Sequence, residues 1–310
     1  MEGPLWARRQ GSSKPCDFVF GNPHDPALPE MVKAIRQAAL PERPDWFAYK
    51  LNEEGPRQAA AAALSARLGL DFAAEDFLLT KGAASGLAVV LQTILSPGDE
   101  VVYVTPPWFL YEAKIVFAGG TAVPVACKRS TFDLDVDAIA DAITPTTRAV
   151  IVNSPNNPTG RVYPKRTLIR LAAVLAEASD RHGRPIYLIS DEAYQRILFP
   201  GTVFSTPTAH YPHSFLVYSY GKTLLNPGQR LGYVALAPSM PPADAAELRS
   251  GLFLTQVASG AWFPDAVMQH ALPHLEQLCI DLSHLCQRRD RLIGALTAAG
   301  YEVHVPARRN

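Results

Sequence analysis

Short apolar runs alternate with amphipathic or alanine-rich stretches from about residue 77 onward. Phe77-Leu78-Leu79-Thr80 reads as a strand and Ser85 to Leu95 as a helix. Val101 to Val104 is a strand, Trp108 to Phe117 a helix, Ala122 to Val125 a strand, and Val136 to Ile143 a helix. A strand at Ala149–Asn153 and a helix at Lys165–Ala178 follow, and Ile186–Ser190, Phe215–Ser219 and Leu231–Leu236 complete the strand set. Runs such as Ile186-Tyr187-Leu188-Ile189 have no polar alternation, so both faces of the strand are expected to be buried, as in a sheet covered by helices. The pattern predicts an α/β protein.

After Pro241 the pattern turns helical, with a long stretch from Ala261 to Ala299 expected to break or kink at Pro273. Tyr301-Glu302-Val303-His304-Val305-Pro306 reads as a strand entering a further subdomain. No internal repeat or low-complexity linker interrupts the chain, and the prolines fall mostly at element boundaries.

Composition narrows the function classes. Of the 310 residues 48% are hydrophobic and 19% charged, the profile of a soluble globular protein with a sizeable core. Lys plus Arg is 29 and Asp plus Glu is 29, so nothing favours a nucleic-acid or anionic-membrane partner, and a small ligand is the better expectation. The cysteines (Cys16, Cys127, Cys279, Cys286) form no CxxC pair, which fits a reducing compartment. Cys279 and Cys286, seven residues apart in the helical stretch, read as packing residues. With no apolar leader and no apolar run of membrane-span length, the expectation is a cytoplasmic protein. His182, His210 and His213 lack metal-ligand spacing, so no metal site is expected.

In sheets of this kind ligands sit at the carboxyl ends of the strands. Five polar signatures fall there: Thr80-Lys81-Gly82, Thr105-Pro106-Pro107-Trp108, Asn153-Ser154-Pro155-Asn156-Asn157, Ser190-Asp191-Glu192 and Ser219-Tyr220-Gly221-Lys222. Gly221-Lys222-Thr223 suggests a phosphate-binding P-loop and Asp191-Glu192-Ala193 a nucleotidase acidic motif, but the glycine required five residues before Gly221 is Leu216, inside a strand, and the acidic motif precedes the lysine. Gly82-Ala83-Ala84-Ser85-Gly86 lacks the GxSxG spacing of hydrolases.

Three motifs in order, each at a strand end, carry a better match: Asn-Asn-Pro-Thr-Gly at 156–160, Ser-Asp-Glu-Ala-Tyr at 190–194, and Ser-Tyr-Gly-Lys-x7-Arg-Leu-Gly-Tyr at 219–233. With these the chain resembles the class I/II aminotransferases of the aspartate aminotransferase superfamily, from about Asp17 to Pro306. The resemblance implies a fold type I architecture: a three-layer sandwich with a mainly parallel sheet and an incomplete small domain. It divides the chain into an N-terminal segment (1–45), a large cofactor-binding domain (46–260), and an interdomain helix with the start of a small domain (261–310). It further implies pyridoxal 5'-phosphate as cofactor, amino acid and 2-oxo acid as substrates, and a homodimer.

The chemistry explains the residue types. A Schiff-base lysine must be partly desolvated or near positive charge, so that its amine is free to attack; Lys222 matches the family lysine. A carboxylate keeps the cofactor's ring nitrogen protonated, and Asp191 matches that role, with a helix N-cap as its plain alternative. Tyr194 and Asn157 match residues that hydrogen-bond the phenolic oxygen; Asn157 also suits a turn before Pro158. Gly82, Ala83 and Ala84, opening a helix, offer backbone N–H donors to the phosphate, joined by Ser219 and Arg230. Trp108 matches the aromatic residue stacked on the ring, with a core tryptophan as the alternative. Tyr49 resembles a tyrosine that reaches the neighbouring subunit's phosphate. Phe20-Gly21-Asn22-Pro23 resembles a segment closing over substrate, so Gly21 and Asn157 are expected substrate contacts.

In the family, the arginine that clamps the substrate carboxylate belongs to a small C-terminal domain, and Arg308 and Arg309 do not match it by position. Three functions remain open on the sequence: an aminotransferase, a lyase or decarboxylase on the same site, and a non-catalytic chain that binds cofactor or a partner subunit.

Overall fold

The computed structural model describes Pro23 and residues 25–305. Gly21 of the N-terminal loop, Cys16, and Arg308 and Arg309 lie outside the described residues.

Seven strands form one sheet: β1 (Phe77–Thr80), β2 (Glu100–Thr105), β3 (Thr121–Ala126), β4 (Thr147–Asn153), β5 (Tyr187–Asp191), β6 (Ser214–Ser219) and β7 (Gly232–Leu236). The order across it is β1-β7-β6-β5-β4-β2-β3. Only β7 runs against its neighbours. The carboxyl ends of β1, β2, β4, β5 and β6 therefore share one edge. Each strand expected between residues 77 and 236 is present within two residues of its expected ends. β1, β5, β6 and β7 are buried throughout, which is why their sequences do not alternate.

Helices cover both faces. One face carries α3 (Ala83–Ile94), α4 (Tyr111–Phe117) and α8 (Pro242–Ala258), packed on Leu78, Val101, Ile151, Ile189, Phe215 and Val234. The opposite face has two parts. Under β2, β4 and β5 lie α5 (Val136–Ala142) and α6 (Lys165–His182). Under β1, β7 and β6 lie α1 (Pro29–Ala38), α2 (Glu54–Leu68) and α9 (Ala266–Leu275), packed on Leu79, Leu216 and Ala235. The result is the three-layer α/β sandwich with a mainly parallel sheet.

Some helices depart from expectation. α1 and α2 precede the region where the sequence pattern becomes readable. α2 buries Ala60 and Ala61 beside Leu64, and small residues give little contrast between its two faces. The helix expected from Trp108 begins at Tyr111, beyond Pro106-Pro107. Pro273 does not break the helical stretch: it sits in the last turn of α9, between Leu272 and Leu275, both fully buried, and their packing carries the helix past it. The break falls instead at residues 276–281, before α10 (Leu282–Ala298). Cys279 lies in that break and is exposed, so it is not a packing residue. Residues 301–305 form no strand; a strand needs a neighbour to take its backbone hydrogen bonds, and this segment pairs with none of the described strands.

No described helix is long and apolar enough to cross a membrane. None of the α10 residues is buried. That helix touches the body through Arg288, which donates from both Nη atoms to Asp25 at 3.1 and 2.9 Å, and Arg289, whose guanidinium lies 4.1 Å from the Phe199 ring centroid.

Candidate active site

The shared edge of carboxyl ends holds a cavity lined by Ala83, Ala84, Trp108, Asn157, Asp191 and Tyr194, together with Ser219, Lys222 and Arg230. Of the residues expected from sequence, these nine come together. Gly82 is immediately adjacent, at the start of α3. Tyr49 lines a separate depression with Lys81, Gln229 and Arg230.

Lys222 sits on a single helical turn, α7 (Tyr220–Thr223), directly after β6. Ser219 caps that turn: its hydroxyl accepts from the Gly221 N–H at 3.3 Å. The Lys222 side chain is half-buried, with Nζ 5.6 Å from the Tyr194 ring centroid. Burial, and then the nearby Arg230 guanidinium, hold its pKa below the ordinary lysine value, against an opposing pull from Asp191. A surface lysine in a turn would not have this environment.

Asp191 ends β5 and is buried. Its Oδ2 accepts from the Tyr111 hydroxyl at 2.7 Å and its Oδ1 from the Ala193 N–H at 3.2 Å. Burial raises its pKa, while Tyr111, Ala193 and Lys222 pull it back. No helix follows β5 directly, so Asp191 is not a helix N-cap: its bond to the Ala193 N–H closes a turn, and the side chain lines the cavity. On the neighbouring strand, Asn153 Nδ2 donates to the Asp191 carbonyl at 2.9 Å, and Asn153 Oδ1 accepts from the Asn157 N–H at 2.6 Å. Asn157, in a turn, donates to the Tyr194 hydroxyl at 3.5 Å. The Tyr194 pKa is pushed up to about 12, by burial first and the Asp191 charge second.

Backbone donors and a cation meet at the start of α3. The first intrahelical N–H bonds are those of Ser85 and Gly86 to the Gly82 carbonyl, both 3.1 Å, so the Ala83 and Ala84 N–H groups face forward out of the helix. Gly82 is the only residue type that fits its position: φ is +83°, and a Cβ there would lie 2.8 Å from Arg230 Nη2. Gly232 is as constrained, since its Cβ would lie 2.8 Å from the Gly82 Cα and closer still to the Tyr218 carbonyl. Arg230 is fixed from behind by a 2.7 Å bond from Nη1 to the Pro227 carbonyl, leaving Nη2 beside Gly82. Trp108 is half-buried, its ring 5.6 Å from that of Tyr111 and edge-on to it. It is a wall of the cavity, not a core tryptophan.

Sequence reasoning missed Tyr111 and Asn153. A signal existed for Tyr111, three residues after Trp108 and so on the same side of a helical turn. Asn153 was visible at the end of β4, but its bridging bonds to two segments follow only from the strand order.

The arrangement offers a nucleophilic amine, a buried carboxylate, hydrogen-bond donors suited to an oxyanion, and a helix start with a guanidinium suited to a phosphoryl group. The comparisons agree with it. The family model for aminotransferase class I and II matches residues 16–308, and the chain belongs to that family. It is 32% identical over 307 residues to the aspartate/prephenate aminotransferase of Thermus thermophilus, covering 98% of this chain and 77% of that protein. It is 28% identical to a probable N-succinyldiaminopimelate aminotransferase of Mycobacterium tuberculosis, covering 92% of this chain and 70% of the relative. Among solved structures, an amino transferase from Eubacterium rectale superposes with a TM-score of 0.89 at 28% identity, covering 99% of this chain and 83% of that one. The aspartate aminotransferase of Thermus thermophilus with maleate gives 0.78 at 30% identity, covering 91% and 72%. The chain is an enzyme of amino-group transfer; the lyase, decarboxylase and non-catalytic alternatives are not favoured.

Proposed function

We propose that the chain moves an amino group between an amino acid and a 2-oxo acid on pyridoxal 5'-phosphate held by Lys222. The observation that carries this is the meeting of an amine of lowered pKa, a buried carboxylate and a phosphoryl-type donor set in one cavity. The residues fit the group end by end. The Ala83 and Ala84 N–H groups, the Ser219 hydroxyl and Arg230 would hold its phosphate. Asp191, steadied by Tyr111, would pair with its ring nitrogen, and Trp108 would cover a ring face. Tyr194 and Asn157 would hold its phenolic oxygen.

When bound, the pyridinium ring supplies a sink for the electron pair left at the substrate α-carbon. The protein's own part is proton handling and orientation. Lys222 Nζ would be the base that takes the α-proton, and its lowered pKa makes the neutral amine more available than that of an ordinary lysine. Asn157 Nδ2 is a further donor toward the substrate, and Gly21 is proposed as a substrate contact. We also propose a homodimer: Tyr49, 90% exposed beside Arg230, is placed for contact with a second subunit.

Borohydride reduction of protein loaded with pyridoxal phosphate, followed by peptide mass mapping, is expected to place the added mass on Lys222. Mass elsewhere, or none, overturns the assignment. A half-reaction assay over a panel of amino acids, begun with aspartate because relatives are named for it, then identifies the donor. Failure of every amino acid with cofactor bound would reject the transfer chemistry for this chain.

A further inference from the structure

A second polar cluster lies behind the Lys222 turn, and none of its members lines the cavity. Its centre is Glu276, which closes α9 and has a side chain only 3% exposed. Glu276 Oε1 accepts from Arg67 Nη1 of α2 at 3.1 Å and lies 3.7 Å from Arg196 Nη1. The other end of that fork, Arg196 Nη2, donates to the Leu278 carbonyl at 2.7 Å. Two residues further on, the Ile280 N–H donates to the Thr223 carbonyl at 3.0 Å. The connector from 276 to 280 is thereby fastened at three points: to α2, to Arg196, and to the residue after Lys222.

The fastening matters because α7 holds itself weakly. A four-residue turn closes few bonds of its own, here the Leu224 N–H to the Tyr220 carbonyl at 3.0 Å. Its place is set by ties at both ends: the Tyr220 N–H to the Leu231 carbonyl at 3.1 Å and the Asn226 N–H to the Gly221 carbonyl at 2.9 Å on the cavity side, and, after Lys222, the Ile280 bond and a 2.7 Å bond between the Tyr218 hydroxyl and Thr223 Oγ1. Arg196 stands two residues beyond Tyr194, so the same fork also fixes the segment bearing that hydroxyl. A buried carboxylate between two guanidiniums adds little net stability over an apolar filling, but the charge-assisted bonds from Arg67 Nη1 to Glu276 and from Arg196 Nη2 to the Leu278 carbonyl are directional, and Arg196 Nη1 reaches Glu276 through charge alone.

We infer that Glu276 and Arg196 are positioning residues, which set Lys222 and Tyr194 in the cavity through the connector at 276–280. The inference rests on Lys222 being the cofactor-bearing amine. Misplacing a reacting group by about 1 Å can cost about 100-fold in rate.

The test compares the full chain with Glu276→Gln, which removes the charge at constant shape, and Arg196→Lys, which keeps the charge but not the two-point fork. Two readouts are needed: kcat and KM for amino transfer, and the pH dependence of Lys222 acylation by acetic anhydride in cofactor-free protein, mapped by mass. Both variants are expected to lower kcat by about tenfold or more with KM nearly unchanged. Both are expected to move Lys222 acylation toward the ordinary lysine range as the turn leaves its desolvated seat. Folded variants that keep the wild-type kcat and acylation profile overturn the inference. If Glu276→Gln does not fold, Arg196→Lys decides on the same readouts. Borohydride mapping of the wild type separates the two readings: no mass on Lys222 rejects the cofactor assignment, while the acylation profile still judges the brace.

Discussion

Two buried polar regions are built from alternate residues of the same short segments. Asp191, Tyr194 and Lys222 line the open cavity, whereas Glu192 and Thr223 turn to the sealed interior and Arg196, partly buried, lies outside the cavity. A carboxylate outside the cavity is perturbed as well. Glu192 is fully buried and its pKa is pushed up to about 8 by desolvation, although its Oε1 accepts from Thr206 at 2.6 Å and Ser190 at 2.9 Å. Asp191, one residue earlier, is shifted the same way but faces Lys222. A displaced pKa marks burial; only the space in front of the group marks a site.

The comparison can be broken most severely at Lys222. Lys222→Ala is expected to cut amino transfer by at least about 10⁴-fold, the upper range for loss of a general acid–base group, with the fold kept; single-turnover kinetics and circular dichroism check both halves. Next comes Asp191→Asn. Removing one member of a buried charge pair is expected to weaken cofactor retention by roughly 100-fold, and fluorescence titration with pyridoxal phosphate measures it.

Glu192→Gln tests the sealed side and is expected to act on stability alone. The folded-state pKa of Glu192, about 8, lies above its unfolded value, so the folded protein binds the extra proton. That contribution is complete below about pH 4.5 and is lost as pH rises through 8. Glutamine mimics the protonated acid, so the variant should melt higher than wild type at pH 8 and about equally at pH 5. The gap is worth at most roughly 4 kcal/mol by linkage, and calorimetry at the two pH values reads it. The smallest effect is expected from Arg230→Gln. Loss of a neighbouring positive charge lets the Lys222 pKa rise, so its acylation should begin at higher pH than in the wild type, while Asp191→Asn should move it the other way.

Much of this arrangement was legible in the residues. Unbroken apolar runs gave the strands, because burial on both faces removes the need for alternation. The polar ends of those runs gave Lys222, Asp191, Asn157 and Ser219, because a sheet of one direction gathers its carboxyl ends at one edge, whereas Tyr194 and Arg230 came from the family motifs that continue past those ends. What could not be read depended on neighbours distant in sequence. Tyr111 meets Asp191 across 80 residues. Glu276 meets Arg67 across 209 residues, and Arg196 meets the connector at Leu278 across 82, and no local pattern announces either. The helix through Pro273 was misjudged for a related reason: the buried faces of Leu272 and Leu275 outweigh one missing N–H.

The helix Leu282–Ala298 lends itself to control by ionic strength. It buries no residue and is moored by the Arg288–Asp25 fork and by Arg289 over Phe199, so added electrolyte slackens its hold while leaving the apolar sheet core untouched. A dye placed on its outer face becomes a gauge of that mooring, and salt concentration the dial that turns it.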